Sequence, residues 1–143
     1  MATFNKFNSF VEVAVEGANL GSDTFKVALT NTAPTAGNSV LADITFASGA
    51  GSAVSTGNLD SVTLTTTSSS QTSGTYKLVL QDKTMTASGT VGPFQYIVIY
   101  DDTVTSPADP LVGYYDYGSA ITLNSGDSFT VNFDESNGFI QFA

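Results

Sequence analysis

The chain contains no cysteine, no histidine, no tryptophan and no arginine. Each absence removes a class of chemistry. Without cysteine there is no disulfide and no thiolate nucleophile or ligand. Without histidine the usual serine and cysteine triads lose their base, and imidazole zinc sites lose their ligands. The basic side chains are four lysines, set against thirteen carboxylates, for a net charge of −9. Nucleic-acid binding needs a basic face that displaces counterions, and this composition offers none. An anionic membrane surface is disfavoured on the same ground. Charged residues make up 12% of the chain, half of the usual ~25%. No run approaches the ~18 consecutive apolar residues of a spanning helix. The opening MATFNKFNSF has no basic region leading into an apolar run, so the sequence predicts no signal peptide. Neither GxxxxGK[ST] nor GxGxxG occurs, which leaves a phosphate cradle without support.

What is present fits one β-rich domain. The 143 residues are enough to bury a core without staples, and 41% of them are hydrophobic. Serine and threonine fill the polar positions; threonine suits strands, and serine and glycine suit turns. Residues 92–133 carry the clearest signal, apolar runs broken by acids, prolines and glycines. Within them, residues 94–100 are apolar at nearly every position, which predicts a strand covered on both faces. Residues 111–117 form its partner, and 120–123 with 128–133 read as a hairpin about Asn124-Ser125-Gly126-Asp127. Further strands are expected at 24–30, 62–65, 75–80, 84–87 and 139–142. The polar tract 66–73 reads as a sheet edge or a loop. The Gly-, Ala- and Ser-rich residues 47–57 should form a mobile loop.

Residues 1–20 fit two patterns. Phe4, Phe7, Val11, Ala14 and Val15 follow helical spacing, whereas Val11, Val13 and Val15 alternate as in a strand. A short helix ending near Gly17 or Gly21 is the preferred reading. The predicted architecture is thus all-β: a single-domain antiparallel β-sandwich over residues 21–143, of which a jelly roll is one version, with an N-terminal helix or arm over 1–20.

Carboxylate chemistry is the remaining enzymatic route. Asp101, Asp102, Asp109 and Asp116 fall in one region and Asp134-Glu135 in another. Glycosidases use two such acids, and calcium takes six to eight oxygens from such loops. Neither loop follows the twelve-residue EF-hand pattern, and acids at these places ordinarily end strands and solvate turns. No metal or cofactor is predicted. Tyr96, Tyr100, Tyr114, Tyr115 and Tyr117 cluster, and tyrosine is enriched at interfaces. Alternation puts Tyr115 and Tyr117 on one face of their strand and Tyr114 on the other.

The segments ATFNKFNSF, LGSDTFKVALTNTAP, SSQTSGTYKLVL, GPFQYIVIYDDT and ADPLVGYYDYGSAITLNSGDSFTVNFD together cover most of the chain. In these segments the chain resembles small structural proteins of tailed bacteriophages, and in length and β-rich character it is similar to head decoration, or cement, proteins. The resemblance implies a non-enzymatic virion protein on the capsid surface, made in the host cytoplasm. Its implied partners are the major capsid protein and further copies of itself, with a trimer favoured. A tail or fibre component and a virion-displayed carbohydrate-binding module are the alternatives. Phe4, Phe7 and Phe10, on an anchoring or exchanged arm, and Tyr114 and Tyr115 are the candidate partner contacts.

Overall fold

A computed structural model describes residues 2–143. It is mostly β, with antiparallel sheets in a sandwich-like arrangement. The strands are β1 (Phe4–Lys6), β2 (Phe25–Thr30), β3 (Thr66–Thr72), β4 (Thr75–Leu80), β5 (Lys83–Thr86), β6 (Val91–Asp101), β7 (Leu111–Leu123), β8 (Ser128–Val131) and β9 (Ile140–Phe142). One helix, α1 (Phe10–Glu16), follows β1. A four-stranded sheet runs β1-β7-β6-β2, a three-stranded sheet β3-β4-β9, and β5 pairs with β8.

The central strand β6 explains the layering. Its side chains alternate between two apolar bodies, as the period of two requires. Ile97 and Ile99 enter the main core with Phe25, Val27 and Leu29 of β2, Leu78 and Leu80 of β4, Met85, and Phe10 and Val13 of α1. Val98 and Tyr100 point the other way and pack with Phe7, Ala28, Leu41 and Leu111. A strand apolar on both faces is what a position between two such layers demands.

The N-terminal segment is both strand and helix, and neither part is a free arm. β1 pairs with β7 as the edge of the main sheet, Phe4 opposite Tyr115 and Lys6 opposite Gly113. The Phe7 N–H then bonds the Val112 carbonyl. α1 has seven residues, too few to hold a helix by propensity alone, and is held by burying Phe10 and Val13. It stops at Gly17, whose N–H bonds the Val13 carbonyl.

Two further expectations are corrected. Residues 47–57 are not a loose loop. Ala47 N–H bonds the Leu29 carbonyl, Asn58 N–H the Gly49 carbonyl and Gly92 N–H the Ser48 carbonyl, while Ala47 and Ala50 are buried. The small side chains serve close backbone approach: a Cβ on Gly49 would strike the Thr90 carbonyl, and one on Gly51 the Ser55 carbonyl. Nor do 120–123 and 128–133 form a hairpin. The first segment is the end of the 13-residue β7, with Leu123 opposite Val91, and β8 pairs instead with β5. The turn between them is still tied, because Asp127 accepts from the Asn124 N–H.

Candidate functional site

β7 leaves the regular ladder in its second half. Ile121 lies opposite Phe94 and Asp116 opposite Tyr96, so Tyr117, Gly118, Ser119 and Ala120 stand against Gln95 alone. Extra residues on one strand of a pair form a bulge, which re-aims side chains and sharpens the local bend. Gly118 takes φ +93° with open space around it, a conformation other residues adopt at a cost. Asp116 holds the base of the bulge: its Oδ1 accepts from the Gly118 N–H at 2.8 Å and from Gln95 Nε2 at 2.9 Å.

The bulge aims Tyr117 outward, 52% exposed. Its ring meets Phe129 of β8 edge-on at 5.6 Å, and Phe129 meets Phe94 in the same way at 5.3 Å. Tyr115, Tyr117, Ile97, Phe129, Thr130, Val131 and Asn132 line a notch of about 160 Å³. That is below the ~300–1,000 Å³ of small-molecule pockets, and is nearer the size of one protein side chain. Burial, with the negative charge of Asp134, pushes the Tyr115 hydroxyl up to about 12. Tyr115 therefore stays neutral, and the notch has an apolar floor with the Asp134 charge close to Tyr115.

The five candidate contacts fall in different places. Phe7 is 0% and Phe10 2% exposed, both packed within the chain's own core. Either would have to leave that core to reach a partner. Phe4 is partly buried: its ring lies over Gly113, where a Cβ would overlap it, and meets Phe139 at 4.9 Å and Tyr115 at 5.6 Å. Tyr114 lies on the opposite face, against Phe7 at 5.5 Å and Tyr96 at 6.2 Å. Tyr115 alone of the five lines the notch. Tyr117 and Phe129 were not among them. The alternation that pairs Tyr115 with Tyr117 and the glycine inside the strand, a bulge signal, both pointed to Tyr117.

The acids act as local ties. Asp134 accepts from the Ser136 and Asn137 N–H groups, and those bonds hold its carboxylate below the usual range. Asp102 pairs with Lys26 at 2.8 Å. Asp101 is fully buried; its Oδ1 accepts from the Thr103 and Val104 N–H groups, while Oδ2 has no hydrogen-bond partner. Burial, then the neighbouring Asp23 carboxyl, raises the Asp101 pKa to about 6. Asp23 itself accepts from the Asn19 N–H. Among the described residues no group of three or more acids converges as a cation site.

No family model, no curated protein and no solved structure matches this chain.

Proposed function

We propose that this chain is a non-enzymatic structural protein of a tailed-phage virion, a head decoration protein that docks on the major capsid protein from the capsid surface. The sequence resemblance supplies the virion setting. The observation that carries the docking role is the β7 bulge, which presents Tyr117 beside a notch sized for one side chain on a well-packed sheet. Rigid aromatic anchors beside desolvated pockets are the usual centres of binding energy at protein interfaces. The negative charge of Asp134 near Tyr115 favours a partner that brings an apolar side chain flanked by lysine or arginine. Assembly into a trimer, as the resemblance implies, would multiply modest contacts through avidity.

The test is binding of the purified chain to phage heads stripped of decoration. Saturable binding that Tyr117→Ser weakens about tenfold or more, at unchanged melting temperature, supports the reading. No binding to heads, with binding to tails or to a glycan array instead, sinks it in favour of a tail component or a carbohydrate-binding module.

A further inference from the structure

The β3–β4 hairpin carries a second feature, unrelated to the notch. Its loop is two residues, Ser73 at φ +52° and Gly74 at φ +83°, the all-positive geometry of a type I′ turn, which matches the twist of the flanking strands. β3 has one neighbour, β4, so its other edge is open. Among the described residues no backbone group from elsewhere bonds that edge. Leu78 of β4 uses its carbonyl for the Phe139 N–H, on the side away from β3. Ser69 is the residue opposite Leu78. Alternation therefore points the N–H and C=O groups of Ser69 and Gln71 outward.

Open edges are normally blunted by lysine, proline, inward charges, bulges or shortness. β3 has seven residues, none charged and none proline, and its one register shift, between Thr66 and Ser68, lies before the regular stretch 68–72. The nearest charged residues in sequence are Asp60 and Lys77. The side chains of its inner face are already engaged within the chain: Ser69 Oγ with the Tyr76 hydroxyl at 2.8 Å, and Gln71 Oε1 with the Gly74 N–H at 3.1 Å. What β3 offers a neighbour is its backbone.

We propose that β3 pairs antiparallel with β3 of a second copy, about a two-fold axis at Ser70. This register sets Ser69 against the second copy's Gln71 and satisfies the outward N–H and C=O groups of both residues in both copies. It joins two three-stranded sheets into one of six strands. The charge distribution does not oppose a second copy at this edge. Two chains of net charge −9 repel over most of their surfaces, and β3 brings no charge to the contact. The Lys77 pair would sit three strand spacings apart, about 14 Å, beyond the ~8 Å screening length at physiological salt. A strand edge buries less than the ~800 Å² per partner of a standard interface, so the pairing is weak in dilute solution and gains from the high local concentration of an assembly. It does not rest on the virion reading.

The test uses the absence of cysteine. Residues facing each other on the axis form a non-hydrogen-bonded pair with Cα atoms about 4.5 Å apart, within reach of a disulfide. Under mild oxidation at high protein concentration, Ser70→Cys should give the disulfide dimer about tenfold or more faster than Val54→Cys, because pairing raises the effective thiol concentration. Val54 is 95% exposed and reports random collision. Ser70→Lys should abolish the self-association of the otherwise unaltered chain in sedimentation velocity, at unchanged circular dichroism. Equal cross-linking rates for the two cysteine variants overturn the proposal, as does self-association that survives Ser70→Lys.

Discussion

Asp101 gives the sharpest handle on the physics of this fold. Its buried carboxyl lies beside Asp23, and Oδ2 has no partner. Two ionised carboxylates are two acceptors with nothing between them; a proton on Asp101 supplies the missing donor. The shift runs upward, from 3.8 to about 6. As pH rises, the unfolded chain releases this proton first, so the stabilisation is complete below about pH 4 and is lost through about pH 6. At roughly 1.4 kcal/mol per unit, the penalty at neutral pH is about 3 kcal/mol, an upper bound if the site relaxes. Asp101→Asn mimics the protonated state, because Oδ1 still accepts from the Thr103 and Val104 N–H groups and Nδ2 donates toward Asp23. Urea unfolding at a series of pH values measures the effect. The native chain should lose stability between about pH 4 and 6.5, and the variant should be nearly flat over that window and more stable at pH 7.5 by about 1–3 kcal/mol. Asp43, Asp60 and Asp134, held low by backbone N–H groups, act in the opposite sense and weaken the fold only in stronger acid. A variant less stable than the native chain at pH 7.5, or one with the same pH slope, would refute the reasoning.

Other outcomes follow from packing. Ile99→Ala, at a fully buried position of β6, should cost about 2–5 kcal/mol by cavity formation, read as a lower urea midpoint. Phe7→Ser should destabilise the isolated chain by about 3–5 kcal/mol; a folded, undisturbed monomer that merely fails to assemble would restore the arm reading. Gly113→Ala sets a methyl group where the Phe4 ring lies. It should free β1 at a cost of about 1–3 kcal/mol, visible as faster amide exchange at Phe4–Lys6 and Phe7. Tyr117→Ser should leave the melting temperature within about 2 °C, since exposed substitutions usually fall within ±0.5 kcal/mol.

The sequence was most legible where packing and period agree. β6 could be located because nearly every position is apolar, and only a strand between two layers uses such a run. α1 and β1 could not be separated, because three phenylalanines within ten residues fit both periods, and their burial was decided by Gly113 and Val112 far along the chain. β7 was cut short because Gly118 and the polar residues around it look like a turn; whether they end a strand or bulge from it depends on the register with β6. The Thr72-Ser73-Gly74-Thr75 turn was readable in retrospect, since serine-glycine between two threonines suits a two-residue loop. Residues 47–57 misled because small side chains serve loose loops and tight backbone contacts alike, and only the partner carbonyls of Thr90 and Ser55 tell them apart. The same limit applies to the notch, whose wall at Phe129 comes from a strand that sequence placed in the wrong pair.

The central claim is that this chain docks on a capsid lattice through the β7 bulge. Cryo-electron microscopy of intact particles carrying the chain tests it most directly. The account predicts copies distributed over the head surface, with Tyr117 and the notch beside Phe129 in contact with the capsid protein. Density confined to the tail, or head-bound copies whose β7 bulge faces solvent, would contradict it.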